Sequence, residues 1–267
     1  MLKELSQKFG VSQSTPLSFL VLSQIQSDAF SGDIGSEFIR PICWRLFFGC
    51  LSTKSQNAWA DDLNELISKY RTLKKDVIPK MVAKVDPLMA LLDEASEEKS
   101  PEWERYYKSV ELGNFIKGDL ERLYVTGIED EYFEDQRIRD ILLNVLLVWA
   151  LAHPHISYRQ GMHEVCGPIL HVLEREFKTW NDALTTGTVQ PDSHALAPFF
   201  VNRGGMDAFL EANCFALLDC AMEHMEPLYD PTNGPDGLAQ IVKFCSKIQG
   251  KYCTVCCTAV AAVVCIS

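Results

Sequence analysis

In the stretch AWADDLNELISKYRTLK, 58–74, the residues Trp59, Leu63, Leu66, Ile67 and Tyr70 fall on one stripe at three- and four-residue intervals. That period predicts an amphipathic helix with one buried face. Acidic residues gather near its start and basic ones near its end, as the helix dipole favours. The same period runs through most of the chain. Residues 101–124 predict two short helices joined near Gly113. Residues 134–154 predict a helix that opens on charges and stops before Pro154. Residues 162–177 predict a helix kinked at Pro168, 206–229 predict another, and 234–249 start one more. Between them, 178–198 is rich in Thr, Pro, Gly and Asp and predicts a loop. Strand-like alternation is hard to find, and no internal repeat is visible. The expected fold class is all-α, with the polar signatures carried on loops.

Composition narrows what such a chain can do. A 47% hydrophobic content over 267 residues is enough to bury a sizeable core. The formal net charge of −11 and a pI near 5.0 make a poor general binder of nucleic acid or anionic membrane. The apolar run 141–152 is roughly half the length a bilayer needs, and Asn144 interrupts it, so it predicts a buried core helix. Ten cysteines do not read as a disulfide framework. Cys43, Cys50, Cys166, Cys214, Cys220 and Cys245 sit among apolar neighbours, as buried reduced thiols do. No Asn-x-Ser/Thr acceptor occurs, and MLKELSQKFG lacks the apolar core of a signal peptide. The expected location is cytoplasmic. In the apolar, cysteine-rich tail 251–267, Cys253-x-x-Cys256 offers half of a zinc-site spacing without the other half, so no metal is expected.

Three segments carry candidate chemistry. In FIKGDLERLY, 115–124, the apolar Ile116, Leu120 and Leu123 recur at helical spacing, and Asp119 and Arg122 stand three apart on neighbouring ridges. Alone, such a pair reads as an ordinary surface ion pair. In SYRQGMHE, 157–164, Tyr158 offers a rigid anchor and Gly161 offers φ freedom before a helix begins. Gln160 then lies on a turn with its amide free to project; the bland alternative is a capping turn. In GSEFIRPICWRLFFG, 35–49, Arg40 and Trp44 combine a cation with a large aromatic on an amphipathic helix. His153, His155, His163 and His171 read as helix-end and surface histidines, because HEVCG is not the H-E-x-x-H of a zinc site. No phosphate-binding loop, dinucleotide fingerprint or nucleophile elbow is present, so no nucleotide cofactor of the chain's own is expected.

Taken in order, the three segments resemble the TBC domain of GTPase-activating proteins for Rab-type small GTPases. RPICW, 40–44, matches that family's R-x-x-x-W. IKGDLER, 116–122, matches I-x-x-D-x-x-R, and YRQG, 158–161, matches Y-x-Q-G. The surrounding texture, ICWRLFFG and YRQGMHE, looks closest to the member-five-type branch linked with endosomal Rabs. The resemblance implies an all-helical fold, a GTP-bound Rab as partner, and two residues supplied in trans. Arg122 would be the arginine finger, and Gln160 would orient the attacking water. Asp119, Ile116, Tyr158, Gly161, Arg40 and Trp44 would support them.

The resemblance covers 33–250, between an N-terminal extension, 1–32, and the unmatched tail. The family domain continues past the helix at 234–249, so the expectation is a complete N-terminal lobe and an incomplete C-terminal lobe. The branch likeness adds two implied features: a peripheral place on endosomal membranes and a trafficking complex as a further partner. Two other readings stand beside activation of a GTPase. One is a non-catalytic module that binds a Rab or a trafficking complex. The other is a plain helical domain with accidental motif matches.

Overall fold

The computed structural model describes residues 19–30, 39–78, 101–125, 128–188, 199–200 and 205–229. The expected helix at 234–249 and the tail lie outside the described residues. Among those described, the regular structure is helical: α1 (Phe19–Phe30), α2 (Ile39–Phe47), a 3-10 turn (Gln56–Ala58), α3 (Trp59–Val77), α4 (Pro101–Leu120), α5 (Asp130–Glu134), α6 (Gln136–Ala152), α7 (Met162–Thr185) and α8 (Met206–Tyr229). The all-α expectation holds. None of these helices is long and apolar enough to cross a membrane.

The helices form where the sequence places their signals. The predicted stripe of α3 buries Trp59, Leu63, Ile67 and Tyr70, with Leu66 packed at the margin. Asp61 and Asp62 lie in its first turn and Lys74 and Lys75 in its last. The Asp135 carboxylate caps α6 by accepting from the Arg137 amide at 2.9 Å.

Two expectations need correction. Residues 101–120 form one continuous helix, not two. Gly113 lies buried within it without breaking it, and a Cβ added there would stand 4.0 Å from the Leu147 side chain of α6, an ordinary contact. Residues 178–185 are helical, not loop, because Trp180 is buried and stacks on Phe200, which extends the apolar face of α7. Pro168 lies inside α7, where its ring leaves the Glu164 carbonyl without its helical donor.

The centre of the fold is α8, packed on α3, α6 and α7; α6 in turn packs on α4. Every residue from 209 to 219 is buried. A helix buried all round has no amphipathic stripe, and its polar residues must find partners inside. Glu211 accepts from the Tyr70 hydroxyl at 2.6 Å and the Asn144 amide at 2.8 Å, and also pairs with Lys74. Asp219 pairs with Lys69 at 3.2 Å. Asn213 accepts from Arg45 at 3.3 Å. Arg45 is itself 1% exposed and forks onto Glu176 through two bonds of 2.7 Å, which joins α2, α7 and α8.

Cys43, Cys50, Cys166 and Cys214 are buried and Cys220 half-buried, none of them in a disulfide, as their apolar neighbours predict. Burial and the neighbouring Cys166 push the Cys214 thiol well above its usual range, which keeps it inert.

Removing one member of the Arg45–Glu176 pair strands the other charge in the core. Arg45→Met is therefore expected to cost about 3–5 kcal/mol. Urea unfolding checks this, and Arg45→Met combined with Glu176→Leu should recover much of the loss.

Candidate functional site

The chain leaves α4 at Leu120, and its next residues make a turn in which the Arg122 amide donates to the Asp119 carbonyl at 3.1 Å. Arg122 thus stands just past the helix rather than on its ridge. Its side chain is 74% exposed, while that of Asp119 is 4% exposed. Nη2 of Arg122 donates to Oδ1 of Asp119 at 2.9 Å. A buried carboxylate thus holds the arginine by one terminal guanidinium nitrogen, while most of the side chain faces solvent.

A buried carboxylate at the C-terminal end of a helix faces the negative pole of the helix dipole, so it needs donors nearby. The second donor comes from the loop between α6 and α7. Oδ2 of Asp119 accepts from the Tyr158 hydroxyl at 2.9 Å. Burial, reinforced by the Asp119 carboxylate, pushes the Tyr158 phenol far above its usual pKa, so it keeps its proton. The Tyr158 ring is itself buried and meets Phe115 edge-on at 5.8 Å. Ile116, one turn before Asp119 on α4, has no exposed surface and belongs to the core.

The same loop carries Gln160. It sits in the turn closed by the Met162 amide on the Arg159 carbonyl at 3.1 Å, and its side chain is exposed. Gly161 ends the turn as the N-cap residue of α7, with φ +95°, a left-handed conformation that an L side chain adopts only under strain. Ser157, at φ +57°, starts the loop in the same region. Six residues along α7, Gly167 lets the helix approach: an added Cβ would lie 3.0 Å from the Phe133 ring and 3.2 Å from Leu123.

Of the predicted site residues, Asp119, Arg122 and Tyr158 are joined directly. Gln160 and Gly161 follow on the same loop, and Ile116 lies beneath. Arg40 is exposed and Trp44 half-buried on α2, where the large cation–core contact is made by Arg45 instead. The signal for Arg45 was legible as a charge set inside the apolar run ICWRLFF.

His163 stands at a helix end, as expected, but not at the surface. It is 5% exposed, not a surface histidine, and its Nδ1 lies 2.7 Å from the Tyr158 hydroxyl. Burial pushes its pKa below the usual value and outweighs the opposing pull of Asp119 and Glu164, while Arg122 acts with burial. No group of three or more histidine, cysteine or acidic side chains among the described residues could hold a metal ion.

The family model of the Rab-GTPase-TBC domain matches residues 37–185. TBC1 domain family member 5 homolog B of Dictyostelium discoideum is 27% identical over 218 residues, covering 81% of this chain and 20% of that protein. TBC1 domain family member 5 of Homo sapiens is 27% identical over 213 residues, covering 78% of this chain and 25% of that protein. The chain therefore spans a fifth to a quarter of the length of these curated relatives. In fold, it is similar to the crystal structure of the YPT/RAB-GAP domain of Gyp1p. That match has a TM-score of 0.58 and 16% identity, covering 92% of this chain and 64% of that one.

The depressed His163 pKa has a stability consequence. Folding favours the neutral ring, so between the lowered folded value and the unfolded value of 6.5 the unfolded chain binds more protons. Stability is therefore lost as pH falls below 6.5. Chemical unfolding across that range should show a steeper loss for the parent chain than for His163→Asn, which has no ring to protonate.

Proposed function

The chain belongs to the Rab-GTPase-TBC domain family, and on that premise we propose that it accelerates GTP hydrolysis by a GTP-bound Rab-type GTPase. The observation that carries this reading is Arg122 itself, a solvent-facing guanidinium anchored by a buried carboxylate. Hydrolysis of GTP needs negative charge neutralised on the transferring phosphoryl group and a water held in line. A guanidinium is planar, always charged and multidentate, so it suits the first task. Asp119 holds one terminal nitrogen of the guanidinium, so less freedom is lost when it enters the partner's site. The Gln160 amide carries both a donor and an acceptor, which suits a water that must be gripped and aimed.

Tyr158 and Gly161 set the turn that presents Gln160, and Ile116 supports Asp119 from below. Arg40 and Trp44 contribute through α2, which packs against α7. The nucleotide belongs to the partner, and the chain supplies no cofactor. A peripheral cytoplasmic place on endosomal membranes, with a trafficking complex as a second partner, belongs to the same proposal and rests on the likeness to the member-five relatives.

Single-turnover hydrolysis by a panel of GTP-loaded Rabs tests this. The parent chain should accelerate hydrolysis by its cognate Rab, and an arginine supplied in trans is worth about 10³–10⁵ in rate. Arg122→Ala and Gln160→Ala should each lose most of that gain without unfolding. Arg122→Lys should not restore it, since an ammonium cannot reproduce the fork. A folded parent chain that binds a Rab without acceleration would instead favour the non-catalytic binding module.

A further inference from the structure

The two-finger reading leaves His163 without a task, yet the proton count around Tyr158 assigns it one. A phenol has a single proton to give and lone pairs to receive with. Two groups contact the Tyr158 oxygen: Oδ2 of Asp119 at 2.9 Å and Nδ1 of His163 at 2.7 Å. If Nδ1 were bare, it would compete for the phenol proton at the shorter of the two contacts. The buried Oδ2 of Asp119 would then face a phenol oxygen with no proton between them. The carboxylate would recover a donor by drawing Arg122 inward onto both oxygens. If Nδ1 carries a proton, it donates to Tyr158, and the Tyr158 proton has one destination, Asp119. Each Asp119 oxygen then has its own donor, and Arg122 is held by Oδ1 alone, with the rest of its fork free. The other ring nitrogen, Nε2, lies 4.0 Å from Glu164, beyond hydrogen-bond range, so no carboxylate pulls the proton to that side.

We infer that His163 is a positioning residue for the arginine: as its Nδ1–H form it commits the Tyr158 proton to Asp119, and so leaves the Arg122 fork facing outward. The catalytic consequence rests on the two-finger reading, but the geometry does not. The order of the chain is then His163, Tyr158, Asp119, Arg122, with every link a hydrogen bond and the first three members buried.

The test uses the full chain with two variants, His163→Leu, which removes the donor, and His163→Asn, whose amide N–H replaces Nδ1–H. In GTP hydrolysis with the cognate Rab, kcat should fall about fivefold in His163→Leu, the effect of one buried hydrogen bond, with KM little changed. His163→Asn should regain most of it, which a purely space-filling role would not predict. NMR supplies a readout that needs no activity. The His163 nitrogen shifts should show the proton on Nδ1. The Arg122 guanidinium resonances should move in His163→Leu and stay in place in His163→Asn.

Loss of activity in Arg122→Ala with none in His163→Leu would overturn the inference and leave the two-finger reading intact. A parent chain that accelerates no Rab would sink that reading, and the NMR arm then decides the inference alone. A proton on Nε2, or Arg122 resonances indifferent to His163→Leu, overturns it.

Discussion

The fold hangs on a charge that could not be left in the core unpaired. Arg45 and Glu176 are each shielded from solvent, and two parallel hydrogen bonds answer both charges at once. Such a pair contributes little net stability against an apolar alternative, but its geometry admits one arrangement of the helices that carry it. It fixes α2 against the middle of α7, and the Asn213 contact adds α8. The position of α7 in turn sets where its N-terminus lies, and that terminus carries the Gln160–Gly161 turn.

The site repeats the same constraint on a smaller scale. Asp119 is a buried carboxylate at the unfavourable end of a helix, and its two oxygens are satisfied from two places in the chain. One donor is local and exposed to solvent, the other distant and packed. This division makes the arrangement useful: the packed donor makes the carboxylate rigid, and the rigid carboxylate anchors an exposed arginine. The Phe115 edge on Tyr158 joins α4 to the loop that carries the bond, and the glycine at 167 lets α7 close on Phe133 and Leu123.

The central helix α8 shows why burial and polarity are compatible here. Glu211, Asn213 and Asp219 would each be costly alone. Each meets a partner from a different helix, so the polar residues of α8 act as fixed points that set the register of α2, α3 and α6 around it.

The sequence by itself determined the helices and the motif. The stripe of α3, the stop after α6 and the φ freedom of Gly161 are local properties, set by period, proline and the missing Cβ, and all were legible. The residue types of the candidate site were legible only through the family resemblance, since alone Asp119 and Arg122 read as an ordinary surface ion pair. Where local pattern misled, packing had the final say. Gly113 looked like a break but lies inside a continuous helix, and 178–185 looked like a loop because only the distant Phe200 explains why Trp180 continues the helix. Arg122 looked like a ridge residue, but the chain turns off the helix at Leu120. His163 looked like a surface histidine. It is buried against the Tyr158 hydroxyl, which in turn reaches Asp119, forty-four positions earlier in the chain than His163. Hydrophobic period is written residue by residue, but the partner of a buried polar group is chosen in three dimensions, and only the tertiary structure decides it.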